Sequence, residues 1–210
     1  MSEFLAQYGG ELLIKTWEQI YISAIALCLG IIVAVPIGVA LTRFPKLAKF
    51  FIGIASILQT IPSLALLAIM IPFFGIGRTP AIIALFVYSL LPIMRNTYIG
   101  MNNVDPILKD SAKGMGMKPI QSIFQVELPL AVPVIMTGIR LSAIYVIAWA
   151  TLASYIGAGG LGDLIFSGLS LFQPSLIIGG TIPVILLSLI IDYLLGRLEN
   201  YLTPRQKRSL

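Results

Sequence analysis

Residues 20 to 41 contain no charged side chain, and four more long apolar runs follow along a chain of 210 residues. A helix needs about 20 apolar residues to cross the hydrocarbon core of a bilayer. The five runs lie at Ile20–Leu41, Phe50–Phe74, Ala81–Arg95, Leu130–Ile156 and Leu176–Leu195. Lipid offers no partner to a bare N–H or C=O, so each run is expected to be a helix. The apolarity is continuous rather than alternating, which excludes a transmembrane barrel. Charged residues make up 11% of the chain, against about 25% in soluble domains. The predicted fold class is therefore an all-α integral membrane protein of about five transmembrane helices.

The N-terminus does not read as a cleaved signal. Glu3, Glu11 and Glu18 outnumber Lys15, and no small-residue cleavage site follows the first run. The first run is expected to be retained. The basic residues then set an orientation. Arg43, Lys46 and Lys49 follow the first span, Lys109, Lys113 and Lys118 lie between the third and fourth, and Arg197, Arg205, Lys207 and Arg208 follow the fifth. In a five-span count these segments share one side, while the loop over residues 157–174 has no Lys or Arg. The positive-inside rule places the N-terminus outside and the C-terminus in the cytoplasm. The expected division is an extracytoplasmic segment at 1–18, a permease domain at 19–198 and a basic cytoplasmic tail at 199–210. The net charge of +5 belongs to this membrane anchoring and implies no nucleic-acid partner.

With no His and one Cys, the sequence offers neither an evident metal site nor a disulfide. Cys28, inside the first run, is expected to be a buried small hydrophobe. The intramembrane ionisable residues are Arg140 and Asp192, both toward the cytoplasmic side. Such residues are costly in lipid, and a helix–helix ion pair or a gating role would each explain them. Prolines fall in every span region, at Pro36, Pro62, Pro92, Pro133 and Pro183. They read either as kinks around a gated path or as the ordinary tolerance of membrane helices. Tyr98, Tyr145, Tyr155 and Trp149 offer faces for a quaternary amine, although interfacial belts and packing use the same residues. Gly157, Gly159 and Gly162 form a GxGxxG without a preceding strand, so close packing or a re-entrant turn is expected there rather than a nucleotide.

The stretch 103–129 is the most informative. Asp105 before Pro106 reads as a helix cap with proline at the first helical position. Leu108, Ala112 and Met115 recur at helical spacing, Gly114 and Gly116 can end that helix, and Pro119 can open a second. Pro129 is expected to mark the entry to the fourth span, after a second short helix held outside the bilayer. Two readings stand on physical grounds: a docking element for a groove on another protein, and an amphipathic connector on the membrane surface.

Asp110-Ser111-Ala112, three residues, Gly116, nine residues, then Val126-Glu127-Leu128-Pro129 resembles the coupling-loop motif of binding-protein-dependent ATP-binding-cassette permeases. That family's pattern is Glu-Ala-Ala, three residues, Gly, nine residues, Ile, any residue, Leu-Pro. Gln59-Thr60-Ile61-Pro62-Ser63, the segment from Leu91 to Tyr98 and the segment from Ile156 to Gly162 resemble its osmoprotectant branch, which imports glycine betaine, carnitine or choline. Methionine permeases share a similar glycine-rich segment and five spans. The resemblance covers nearly the whole chain and implies a type I importer permease fold. It implies coupling to the ATPase through Asp110, Ser111, Ala112 and Gly116, with Leu128 and Pro129 setting the return to the membrane. The implied partners are cytoplasmic ATP-binding subunits, a second permease chain, identical or not, and an extracytoplasmic substrate-binding protein. ATP would be bound by the partner, since this chain has no GxxxxGK[ST] loop, and no cofactor, metal or catalytic residue is expected in it. A membrane-embedded enzyme would need convergent ionisable side chains that the spans lack. An ATP-independent carrier or channel would lack the docking loop.

Overall fold

The computed structural model describes residues 2–203, with side chains from Gln7 onward. Arg205, Lys207 and Arg208 of the basic tail lie outside them. The chain forms α1 (Ser2–Leu41), α2 (Pro45–Thr60), α3 (Ser63–Phe74), α4 (Arg78–Asn102), α5 (Pro106–Gly114), α6 (Pro119–Ser122), α7 (Leu128–Ala150), α8 (Gly162–Ser170) and α9 (Pro174–Leu202). A π-turn at Ile123–Glu127 joins α6 to α7, and a 3-10 turn at Leu152–Ile156 follows α7. No strand occurs among the described residues. Four helices are long and apolar enough to cross a membrane: Gln7–Leu41, Arg78–Asn102, Pro119–Ala150 and Pro174–Leu202. The pair α2 and α3 makes a fifth candidate if taken as one span.

That pair departs from the sequence reading. Instead of a single span over Phe50–Phe74, the chain bends by 98° between α2 and α3. Pro62 is the cause: it has no N–H to continue the ladder, and it drives Ile61 to an extended φ −64°, ψ 128°. The carbonyl of Ile61, freed by the break, accepts the hydroxyl of Tyr88 on α4 at 2.5 Å. A broken helix at membrane depth persists where neighbouring protein satisfies its backbone in this way.

The second departure lies at Pro129. The second short helix does not stand apart from the fourth span: residues Pro119–Ala150 run on as one 32-residue rod. The N–H of Leu128 reaches the carbonyl of Ile123, five residues back. The wider π-turn relieves the clash a proline ring makes with the carbonyl four residues earlier in a regular helix. At the other end, α1 passes through residue 18 without a break.

α4 is the central element and packs against α1, α2, α3 and α7. Small residues let the backbones approach, as expected where apolar lipid gives no hydrophobic drive between helices. A Cβ on Gly38 of α1 would fall 2.7 Å from the Thr97 side chain, and one on Gly138 of α7 would fall 2.6 Å from the Pro92 carbonyl. Ser142 on α7 donates to the Ser89 carbonyl on α4 at 3.1 Å. Buried apolar clusters form above and below this waist. One gathers Ile22, Leu85, Tyr88 and Val146, the other Ala34, Ile93, Met101 and Ile135. The outer faces stay apolar, with Leu189 and Ile190 of α9 more than half exposed. Cys28 belongs to such a face. It is exposed in an apolar groove between α1, α7 and α9 rather than buried, because an apolar run in a membrane helix faces acyl chains as readily as protein.

Candidate functional site

The loop between α4 and α7 is built from local signals. The Asp105 carboxylate accepts the Ile107 N–H at 2.8 Å, with Pro106 in the first turn of α5. Beyond α5 the chain reverses at Gly116, whose φ is +79°. The Gly116 N–H donates to Lys113 O at 2.9 Å and the Met117 N–H to Ala112 O at 3.1 Å, closing the last carbonyls of the helix. The Gln121 side chain accepts the Lys118 N–H at 2.8 Å, so α6 starts with its own cap.

The motif residues have distinct surroundings. Ala112 is fully buried against the rest of the loop. Asp110 is exposed and pairs only with the exposed Lys113 at 3.0 Å. Ser111 donates to its own helix, to Ile107 O at 2.8 Å. Leu128 and Pro129 are half-buried at the start of α7. Around them Ile107, Met115, Ile120 and Phe124 are each more than 60% exposed, a concentration of apolar surface on an element too polar to lie within lipid.

Contacts that the sequence did not disclose fix this loop to the bundle. Lys109 donates to Met101 O, the end of α4, at 3.0 Å. Glu127, 2% exposed, accepts from Arg43 at the end of α1 and from Ser122 at 3.2 Å. Glu127 fills the unconstrained position of the motif, so the pattern gave no reason to single it out; the only signal was a lone acid bordering a span. Arg43 had been read as a topology marker alone.

Arg140 and Asp192 are brought together. The guanidinium meets the carboxylate with two contacts, 2.8 and 2.9 Å, between α7 and α9. Glu199, about two turns further along α9, adds a third contact at 3.1 Å. The aromatic candidates divide. Tyr145 stacks on Trp149 with ring centres 5.2 Å apart, and Trp149 meets Tyr88 at 4.5 Å. Tyr155 pairs instead with Phe166, and Tyr98 packs against the lower core.

At the opposite end of the bundle the glycine segment folds onto α1. Gly157, Gly159 and Gly160 take positive φ. The Gly160 N–H donates to Glu18 at 3.1 Å and the Leu161 N–H to the buried Gln19 at 3.2 Å. Gln19 in turn donates to Ile147 O at 2.8 Å. Those N–H groups are occupied by side chains of the same chain, so no phosphate cradle remains open. Glu18 also pairs with Arg78 and Lys15, and Lys15 with Asp163.

Comparison with known proteins agrees with this geometry. Residues 26–208 match the model of the family described as binding-protein-dependent transport system inner membrane component. The carnitine transport permease protein OpuCB of Listeria monocytogenes is 60% identical over 98% of this chain and 94% of its own length. The choline transport system permease protein OpuBB of Bacillus subtilis (strain 168) is 59% identical over 99% of this chain and 96% of its own length. Among solved structures, an inward-facing conformation of the MetNI methionine ABC transporter superposes with a TM-score of 0.83 at 25% identity, covering 92% of this chain and 97% of that one. The apolar helices, the exposed loop and these matches lead to one conclusion: the chain is a multi-pass membrane protein belonging to the binding-protein-dependent transport system inner membrane component family.

Proposed function

We propose that this chain is the permease subunit of an ATP-driven importer that carries a quaternary-ammonium osmoprotectant, such as glycine betaine, carnitine or choline, across the cytoplasmic membrane. The observation that carries the reading is the docking loop: capped at both helices, tied to α1 and α4, and apolar where it meets solvent. The N-terminus lies outside and the loop faces the cytoplasm. There Asp110, Ser111, Ala112 and Gly116 engage a separate ATP-binding subunit, and Leu128 and Pro129 carry its movement into α7. ATP is bound and hydrolysed by that partner; this chain contributes no catalytic residue, cofactor or metal. A second permease chain completes the path and an extracytoplasmic binding protein delivers the solute. Closure of the ATPases moves the loops and swings the bundles between inward and outward access as rigid bodies.

The osmolyte assignment draws support from relatives whose names specify carnitine and choline. Methionine is the second reading, favoured by the fold likeness to the methionine transporter. The test is solute uptake at high osmolarity by cells that depend on this permease, its ATPase and its binding protein. Energy-dependent accumulation of glycine betaine, carnitine or choline is expected; methionine uptake with no osmolyte uptake would overturn the assignment.

A further inference from the structure

A cleft of ≈ 830 Å³ opens on one side of the bundle, lined from α2 by Ser56 and Gln59, from α4 by Arg95 and Asn96, and from α7 by Tyr145 and Trp149. Arg95 lies within α4, is exposed, and makes no ion pair or hydrogen bond with any described residue. An unpaired guanidinium on a spanning helix is costly among acyl chains; such residues face a water-filled path or a polar partner, or reach the headgroups from near a helix end. The same face carries two amides and a stacked aromatic pair, so this side of the bundle is polar where the other outer faces are apolar.

The cleft joins two kinds of recognition. Residues 89, 92 and 100 of α4 meet residues 142, 138 and 131 of α7 respectively, so the two helices run antiparallel. Helical side chains lean toward the N-terminus of their own helix. Arg95 therefore leans along α4 toward the level of Tyr145, and Tyr145 leans along α7 toward the level of Arg95. By that register their backbones stand about nine residues, roughly 14 Å, apart along the axis, and both long side chains lean into that gap. Aromatic faces take quaternary ammonium groups, and a guanidinium takes a carboxylate.

Resting on the osmolyte reading above, we propose that this cleft is a transient solute site on the translocation path. The Tyr145–Trp149 pair holds the trimethylammonium end and Arg95 the carboxylate end. The arrangement favours zwitterions over a plain cation, because choline gains nothing from Arg95 and is repelled by its charge.

The experiment uses the full transporter in proteoliposomes with its binding protein, measuring uptake of glycine betaine and of choline, and ATPase stimulation by the loaded binding protein. Tyr145→Leu should lower uptake of both solutes about tenfold, the scale of a desolvated cation–π contact, while Tyr145→Phe, which keeps the ring, stays near the unmodified rate. Arg95→Gln should lower glycine betaine uptake about tenfold, as loss of a charge-assisted hydrogen bond does, and leave choline uptake equal or higher; Arg95→Lys should keep the original preference. ATPase stimulation should persist throughout. Tyr145 packs on Trp149, so if Tyr145→Leu fails to accumulate, the exposed Arg95 pair decides the matter. If Arg95→Gln changes both solutes equally, the assignment is wrong while osmolyte import stands. If the unmodified complex carries methionine and neither osmolyte, the osmolyte reading fails first and this site with it.

Discussion

At the scale of single residues, Gly116 and Glu127 do unlike work in the same loop. A Cβ on Gly116 meets nothing within 4 Å, yet its φ is +79°. The position excludes other residues through backbone conformation alone, at a cost on the order of 1–2 kcal/mol. Gly116→Val should leave the protein at normal level in the membrane while ATP-driven uptake falls at least tenfold and the ATPase no longer responds to the loaded binding protein. Asp110→Arg, which reverses an exposed charge on the docking face, should do the same. Uptake at the unmodified rate in both variants would reduce the loop to a connector. Glu127 matters through burial. Removing Arg43 leaves its carboxylate without a cation, a loss on the order of 3 kcal/mol for a buried ion, moderated by the partial exposure of Arg43. Arg43→Ala should therefore lower the melting temperature of the detergent-solubilised protein clearly more than Glu127→Gln, which keeps a polar group for Ser122. Equal shifts would mean that the pair contributes little.

At the scale of elements, the helices that matched the sequence reading are those whose ends carry local chemistry. α5 begins at Asp105-Pro106 and closes at the glycines, because a side-chain cap and a left-handed turn are decided within a few residues. The features that differ turn on backbone partners that the residue pattern does not specify. Pro62 and Pro129 carry the same residue type beside comparable apolar runs, yet one bends the chain by 98° and the other sits inside a continuous rod. The difference is what receives the freed backbone: Tyr88, 27 residues away, at the first, and a register change to i+5 at the second. Neither is visible in a proline pattern. Tyr88→Phe keeps the ring beside Trp149 but strips Ile61 O of its donor. The expected cost is about 1–3 kcal/mol for a buried carbonyl left unpaired, read as a lower melting temperature with the fold otherwise intact. An unchanged melting temperature would show that water fills the gap at the break.

For the whole molecule, the class and four of the five spans were legible because apolar length is a one-dimensional property. Burial was not. Cys28 reads as interior in the sequence but is exposed in an apolar groove, since apolar residues of a membrane helix pack outward and inward alike. The ion-pair candidates Arg140 and Asp192 could be named from cost alone, but Glu199 joins them only through the packing of α9 against α7. The proposed orientation rests on charge asymmetry alone and is open to direct test. In a Cys28→Ser background, Leu171→Cys, exposed between α8 and α9, should react with an impermeant maleimide on intact cells. Lys113→Cys on α5 should react only after the membrane is opened. The reverse pattern would put the docking loop outside and remove the ATPase from the reading.

The uninterrupted run from Pro119 to Ala150 has a mechanical meaning. Its near end is part of the loop that a neighbouring subunit would grip, and its far end carries Trp149 beside the cleft. At 1.5 Å per residue the rod is about 48 Å long, so a tilt of roughly 10° at the gripped end sweeps the far end by about 8 Å. A hinge at Pro129 would have absorbed that stroke close to its source. The π-turn, held by Glu127 between Arg43 and Ser122, makes this stretch a lever arm. Under the proposed coupling, a small push at one face of the membrane would become a displacement the width of a solute near the other.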